Sequence, residues 1–110
     1  MPIRNWLHAE DTARAVLRII DSNVENQIYN IAGGFEQANI DTVKKLLNEL
    51  LKTESYNLHD YVDMSCSRVG QDVRYALDDS KLRSLGWSPE KVFDDELSDI
   101  VEYYKDKFIW

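Results

Sequence analysis

Two arginines, Arg68 and Arg74, flank Gly70 in the stretch SRVGQDVRYALD, residues 67–78. A guanidinium group binds phosphate oxygens through two parallel hydrogen bonds and stays charged at physiological pH. An arginine on a glycine turn is therefore suited to clamp a phosphate. The alternative is an exposed ion pair, since such pairs are common on acidic proteins and contribute little energy. The residues alone leave both interpretations open.

A second spacing with chemical potential lies near the carboxyl end. Tyr103 and Lys107 stand four residues apart, as a tyrosine acid/base and an assisting lysine would on a helix. A four-residue spacing arises often by chance, so we favour surface residues beside a core stripe. The candidate metal ligands His8, His59 and Cys66 are dispersed without ligand spacing, so no metal site is expected.

Nucleotide-cofactor motifs are absent from the sequence. The chain has only four glycines, and none of them forms a G-x-G-x-x-G turn or a P-loop. The usual cradle for a dinucleotide is therefore missing, and we expect no cofactor site in this chain.

Composition bounds the class of protein. The 110 residues fit one small domain, residues 1–110, with 44% hydrophobic and 30% charged residues. A net charge of -7 argues against partners such as nucleic acid or an anionic membrane, which need a basic face. The single cysteine, and the lack of a secretory signal or a long apolar run, make a cytoplasmic location the expectation.

The first half of the chain predicts a helix, a strand and a second helix. Helical spacing of Ala13, Val16, Leu17 and Ile20 predicts a first helix that begins near Glu10 and Asp11 and ends at residues 21–23. The segment QIYNIAGG, residues 27–34, predicts a buried strand. A second helix is predicted to start at Asn39 or Asp41. Its inward stripe comprises Val43, Leu46, Leu47, Leu50 and Leu51.

The second half predicts two short strands and two helices. The segments YNLHDYVDM, residues 56–64, and VRYALD, residues 73–78, resemble strands, the latter more clearly because it alternates. A short helix should stop at Gly86, and the last helix should start with Ser88 as cap and Pro89 at its first position. The buried face of that last helix comprises Phe93, Leu97, Ile100, Val101, Tyr104 and Phe108. The fold class expected is a small α/β domain of about four helices and short strands.

Three blocks carry a resemblance to the extended short-chain dehydrogenase/reductase family, and within it to the dTDP-glucose 4,6-dehydratases. They read RNWLHAEDTARA, YNIAGGFEQANIDTV and SRVGQDVRYALDDSKLRSLGWSP, in the family's order and over nearly the whole chain. The resemblance implies that Arg4, Asn39 and Arg68 contact a nucleotide sugar, with a dTDP-hexose as the expected partner. Arg74 is expected to support the turn or to pair with a neighbouring carboxylate.

Departures from the family pattern leave the nucleotide open. Asn5 replaces an aspartate, Ser67 an aspartate, Val69 a proline and Gln71 a histidine. Phosphate binding remains compatible with these changes. A relative that handles another dTDP-, UDP-, GDP- or CDP-sugar therefore stays an alternative, as does a related epimerase.

The resemblance also implies that a large part of the family's enzyme is missing. The family's NAD-binding half, with its glycine turn and its catalytic Tyr-x-x-x-Lys and Asp-Glu pair, has no counterpart here, so NAD and the dehydration chemistry belong to the full-length family. We expect this chain to be a substrate-binding portion that is inactive alone, or alternatively a non-catalytic binding or interaction domain. Faces normally covered by the missing half, around the first helix, Trp6 and Leu7, would then favour self-association or a complementing NAD-binding chain.

Overall fold

The computed structural model describes residues 2–23, 25–65, 69–71, 73–74 and 77–107. These residues form a two-stranded antiparallel sheet and four α-helices. In chain order the elements are β1 (Ile3–Asn5), α1 (Ala9–Asp21), β2 (Glu36–Ala38), α2 (Asn39–Leu51), a 3₁₀ turn (Leu58–Asp60), α3 (Ser80–Arg83) and α4 (Phe93–Tyr104). The expected mixed α/β class with four helices is confirmed.

The small sheet joins three distant parts of the chain. Strands β1 and β2 pair so that Arg4 lies opposite Gln37 and Asn5 lies opposite Glu36. On the other side of β1, Ile3 forms an isolated parallel bridge with Arg74, and the Ile3 amide donates to the Val73 carbonyl over 2.6 Å. Residues near 4, 37 and 74 are thereby brought side by side.

Helix α1 forms where the sequence predicts it. The His8 Nδ1 atom caps it by accepting a hydrogen bond from the Glu10 amide over 3.0 Å. Its apolar stripe is uncovered, as expected for a face that further chain would cover, since Val16, Leu17 and Ile20 are 45%, 58% and 64% exposed. The buried residues of α1 are instead Asp11 and Ala15.

The main core lies between α1, α3 and the segment that follows α3. Ala15, Leu82 and Trp87 are buried at its centre. The partly buried residues around them are Leu7, Ile19, Tyr29, Ile31 and Leu85. Apolar burial of this kind supplies most of the driving force for folding. A second contact joins α2 to α4, which are linked by the Lys45–Asp94 ion pair over 2.7 Å. The Phe35 ring, just before β2, stacks on Phe93 at the start of α4 with centroids 5.5 Å apart.

A buried carboxylate ties α1 to the chain before α4. The Asp11 carboxylate accepts hydrogen bonds from the Glu90 and Lys91 amides, each over 3.0 Å, and pairs with the Arg14 guanidinium. The Trp87 Nε1 atom donates to the Asp11 carbonyl over 3.0 Å. Burial opposes ionisation of Asp11, but the hydrogen bonds from Glu90, Arg14 and Lys91 outweigh it and lower the pKa of the carboxyl.

The predicted start of the last helix is wrong because of these hydrogen bonds to Asp11. Ser88 and Pro89 were expected to cap and open it, but α4 begins at Phe93, after Val92. The amides of Glu90 and Lys91 are bound to Asp11, and the Arg14 guanidinium donates to the Ser88 carbonyl over 3.2 Å. Tertiary hydrogen bonds therefore hold residues 88–91 outside the helix.

Two predicted strands are also wrong. Residues 27–34 form neither strand nor helix, because a strand needs a ladder partner and the described part of the chain provides none there. Tyr29 and Ile31 pack against the core while Ile28 is 84% exposed. Within residues 56–64, a 3₁₀ turn forms at Leu58–Asp60, since the Asn57 side chain accepts from the His59 amide and offers the backbone a local alternative.

The remaining predictions have mixed outcomes. Helix α2 begins at Asn39 as expected, although Asn39 is its first helical residue and not its cap. Helix α3 is followed by a turn that ends at Gly86, whose φ of 93° suits glycine. Among the described residues of the range 73–78, Arg74 alone forms a β-bridge, to Ile3 of β1. Residues 75 and 76 lie outside the described residues.

Candidate functional site

Arg4, the first of the expected contact residues, lies on β1. It is partly buried, and its Nη1 atom donates to the Ile3 carbonyl over 2.8 Å. Opposite it, Gln37 is buried and its Nε2 atom donates to the Thr42 hydroxyl over 2.7 Å. Because side chains alternate along a strand, Arg4 and Gln37 share one face of the sheet, and Ile3 and Asn5 occupy the other.

Asn39, the second contact residue, lies where β2 passes into α2. Its amide donates to the Pro2 carbonyl over 2.9 Å, which places it beside the start of the strand that carries Arg4. Its Oδ1 atom is buried and accepts no hydrogen bond from the described residues. Buried acceptors are usually satisfied in folded proteins, so an unsatisfied one indicates a missing donor.

Arg68, the third contact residue, lies outside the described residues, as do Cys66 and Ser67. The turn that follows it is described at Val69, Gly70 and Gln71, all of which are exposed. Gly70 has a φ of 78°, and no heavy atom of the described chain lies within 4 Å of the position a Cβ would take. The turn therefore projects into solvent, which is compatible with a ligand-binding loop.

Arg74 pairs with a carboxylate, as expected. Its Nε and Nη2 atoms donate to the two carboxylate oxygens of Glu36 over 2.7 and 2.6 Å. The hydrogen bond from Arg74 lowers the pKa of Glu36, and the same bond raises the pKa of Arg74. The partner lies 38 residues away in sequence. No local pattern identified it, since long-range ion pairs leave no periodic signal.

The described residues give no support to two other candidates, a metal site and a tyrosine–lysine acid/base pair. Within the described residues, no group of three His, Cys, Asp or Glu side chains could hold a metal ion. Tyr103 and Lys107 lie at the surface, where the Lys107 ammonium stands 4.7 Å from the centre of the Tyr103 ring. That contact is a cation–π pair and fits the surface interpretation.

A cavity of about 450 Å³ lies between the β1–α1 connection, α2 and α4, and none of Arg4, Asn39 and Arg74 lines it. Its walls are mainly apolar and include Trp6, Phe35, Phe93, Leu97 and Ile100. An apolar wall does not suit a diphosphate, which needs charged or hydrogen-bonding groups. This cavity was not predicted, because Ile100 and Tyr104 were expected on the buried face of the last helix, whereas they are 39% and 45% exposed.

No helix in the described part of the chain is long and apolar enough to cross a bilayer.

The family model for GDP-mannose 4,6 dehydratase matches residues 1–100. The chain belongs to this family. Its matches identify it as part of an extended short-chain dehydrogenase/reductase of the dehydratase type. The dTDP-glucose 4,6-dehydratase of Neisseria meningitidis is 40% identical over 117 residues, which cover 100% of this chain and 33% of that protein. The low-salt glycan biosynthesis protein Agl12 of Haloferax volcanii is 34% identical, over 93% of this chain and 31% of its own.

Solved structures of family members share the fold. A dTDP-glucose 4,6-dehydratase from Bacillus anthracis, in complex with NAD, has a TM-score of 0.77 at 26% identity and covers 97% of this chain and 32% of its own. DesIV, a dTDP-glucose 4,6-dehydratase from Streptomyces venezuelae with NAD and TYD bound, has a TM-score of 0.76 at 30% identity. It covers 96% of this chain and 32% of its own. The chain therefore spans about a third of the length of the family members it matches.

Proposed function

We propose that this chain is the nucleotide-sugar-binding portion of a dTDP-glucose 4,6-dehydratase-like enzyme and that it has no dehydratase activity alone. The observation that carries the proposal is the buried, unsatisfied Oδ1 atom of Asn39 beside the strand of Arg4. Both residues occupy positions that the family resemblance assigns to nucleotide-sugar contacts. A relative of known structure holds TYD as well as NAD.

Within this proposal each residue has a defined task. Arg4 and Arg68 hold diphosphate oxygens, since a guanidinium matches two phosphate oxygens and cannot lose its charge. The Asn39 side chain accepts a hydrogen bond from a ligand N–H or O–H group. The N-terminal amides of α2 favour negative charge nearby, although Asp41 in the first turn of that helix opposes this.

The residues of this chain do not fit an NAD cradle. Such a cradle needs glycine amides that face a pyrophosphate at the start of a helix. Here the Gly33 amide donates to the Asp79 carboxylate over 2.8 Å, and a Cβ on Gly33 would lie 2.7 Å from the Leu7 side chain. Among the elements that the structure describes, no strand precedes Gly70 or Gly86 and leads into a helix there. We assign NAD and the redox and elimination steps to the part of the enzyme that this chain lacks.

Calorimetric titration with dTDP-glucose tests the proposal, with UDP-glucose and NAD as comparison ligands. We expect saturable binding of dTDP-glucose, no binding of NAD, and at least a tenfold loss of dTDP-glucose affinity in Arg4→Gln, because a charge-assisted phosphate contact is lost. Arg18→Gln, which removes an exposed arginine from α1, should bind as the wild type does. Preferred binding of UDP-glucose would reassign the chain to a UDP-sugar enzyme. No binding of any nucleotide would contradict the proposal and favour an interaction domain.

We further propose that the outer face of α1 docks on the remaining two-thirds of a dehydratase-length chain. This face consists of Val16, Leu17 and Ile20, which are 45%, 58% and 64% exposed. Relatives three times as long carry further chain that has no counterpart here, and it is the occupant that we propose. An exposed apolar stripe on a helix marks an interaction surface.

A binding experiment separates this occupant from self-association. The unmatched two-thirds of the Neisseria meningitidis relative, produced as a separate chain, should retain the wild-type protein on a column. Leu17→Glu should abolish retention, whereas Val69→Glu, which introduces the same charge at a fully exposed residue outside α1, should not. Equal retention of both variants, or a concentration-dependent dimer of the wild type by light scattering that Leu17→Glu dissolves, would contradict the proposed occupant.

A further inference from the structure

We infer that Glu36 is a positioning residue that orders the turn at residues 69–71 beside β1. Through its ion pair with Arg74, it holds the chain that follows the Gly70 turn against the strand that carries Arg4. This inference rests on the proposed function, because it names what orders one wall of the nucleotide-sugar site. Glu36 makes no ligand contact itself and acts only through Arg74.

The ion pair spans β1 from one side to the other. Glu36 belongs to β2, where it lies opposite Asn5 of β1. Arg74 lies on the other side of β1, where it is bridged to Ile3. The two bonds between the side chains, 2.7 and 2.6 Å long, therefore connect the two neighbours of β1 directly. A bidentate arginine–carboxylate pair also fixes orientation, because its two parallel bonds restrict rotation.

The pair crosses β1 on the face opposite Arg4. Ile3 and Asn5 point to one face of the sheet, and their cross-strand partners Arg74 and Glu36 point to the same face. Arg4 lies between them in sequence and points to the other face, together with Gln37. The ion pair thus anchors the segment without occupying the face of the sheet on which Arg4 lies.

The structure describes few other contacts that hold residues 69–71 and 73–74 in place. The backbone bond from the Ile3 amide to the Val73 carbonyl, 2.6 Å long, is the second anchor that the structure describes. Val69 is fully exposed, and the space around Gly70 is open within the described chain. An anchor at residue 74 restricts the preceding turn, because Gly70 is then at most about 14 Å from it along the chain. Preorganisation of a loop in this way improves affinity by reducing the entropy lost on binding.

Substitution of Glu36 should weaken nucleotide-sugar binding without removing a ligand contact. For Glu36→Gln we expect the Kd for dTDP-glucose to rise about two- to fivefold, the range that corresponds to the loss of an exposed ion pair. The matched control is Glu102→Gln, which breaks an exposed pair with Lys105, 2.9 Å long, on α4. The double variant Glu36→Arg with Arg74→Glu should restore most of the affinity, since it rebuilds the pair with its charges exchanged.

Amide exchange measured by NMR tests the anchor without any ligand. The Ile3 amide should exchange faster in Glu36→Gln than in the wild type, because its acceptor Val73 is less firmly held. The Trp6 amide, which donates to the Phe35 carbonyl over 3.0 Å, and the Asn39 amide, which donates to Pro2, report on the rest of the sheet and should keep their protection. The charge-exchanged double variant should return the Ile3 amide to slow exchange.

The two measurements separate failure of this inference from failure of the proposed function. Unchanged protection of Ile3 in Glu36→Gln would overturn the anchoring role, whether or not the chain binds a nucleotide. Faster exchange at Ile3 with an unchanged Kd for dTDP-glucose would show an anchor that does not position the site, and would also overturn the inference. Faster exchange at Ile3 in a chain that binds no nucleotide would support the anchor and contradict the proposed function alone.

Discussion

Two arginine–carboxylate pairs in this protein have the same chemistry and different consequences. Asp11, paired with Arg14, is completely buried and also binds two backbone amides. Glu36, paired with Arg74, lies at the surface, and the arginine side chain is 58% exposed. Removal of a buried carboxylate leaves its hydrogen-bond donors unsatisfied, whereas water takes the place of an exposed carboxylate. The first pair therefore supports the fold and the second only orders a segment.

The strongest test of this comparison is Asp11→Ala. We expect it to lower the free energy of unfolding by about 3 kcal/mol or more, because the Glu90 and Lys91 amides lose their buried acceptor and Arg14 loses its partner. Urea denaturation followed by tryptophan fluorescence, to which buried Trp87 contributes, measures the change. Glu10→Ala, which removes the exposed neighbour of Asp11, should leave the midpoint almost unchanged. A loss below about 1 kcal/mol in Asp11→Ala would remove the distinction between the two pairs.

A second test compares two glycines, one in each region. Gly33→Ala places a methyl group 2.7 Å from the Leu7 side chain at a φ of 85°, so it adds a steric conflict to backbone strain. We expect a loss of about 2 kcal/mol, against about 1 kcal/mol for Gly70→Ala, which has a φ of 78° and open space around it. Thermal or urea unfolding gives both values. Equal losses would indicate that Leu7 moves aside and that packing at Gly33 is not tight.

Acid should weaken the fold through the buried carboxylate of Asp11 and the partly buried carboxylate of Asp79. Asp79 accepts from the Gly33 amide and from Arg83, each over 2.8 Å; burial opposes its ionisation, but these bonds outweigh it and lower its pKa. The pKa of Asp11 is lowered as well. A folded pKa below the unfolded value of about 3.9 means that stability is fully present above that pH and is lost as the pH falls through the folded pKa.

Urea titrations at a series of pH values measure this effect. The free energy of unfolding of the wild type should fall on acidification from about pH 5 to pH 3, and Asp79→Asn should show a shallower decline, since one of the responsible groups is absent. Parallel curves for the two proteins would mean that Asp79 contributes nothing to the pH dependence.

The smallest expected effect concerns the surface pair. Glu36→Gln should leave the urea midpoint within the experimental error of the wild type, because both side chains regain water when the pair breaks. The same unfolding experiment that measures Asp11→Ala provides the comparison. A loss as large as that of Asp11→Ala would contradict the assignment of Glu36 to ordering alone.

Local patterns predicted the elements whose signals are local. The positions of α1, α2 and α3 were predicted to within a few residues, because helical periodicity and caps involve neighbours in sequence. The start of α4 was not, since Asp11, some 80 residues away, takes the amides of Glu90 and Lys91. The strands β1 and β2 were missed because three-residue strands carry too little alternation to recognise.

The candidate site shows a similar division. The sequence blocks identified Arg4 and Asn39, but they did not indicate that Asn39 has a buried acceptor or that it lies beside the strand that carries Arg4. The sequence predicted that Arg74 pairs with a carboxylate and did not identify Glu36. Arg68 lies outside the described residues, so its contact with a ligand stays a prediction.

The sequence by itself determined the helical elements, the acidic character, and the motif blocks that place the chain in its family, because each depends on residue type and short spacing. Tertiary structure alone decided which face of each helix is buried. The apolar stripe of α1 is exposed while Asp11 on the same helix is buried, which reverses what hydropathy predicts. The physical reason is that burial depends on the partners available: Asp11 meets backbone donors from residues 90 and 91, and the stripe meets none of the described chain's core.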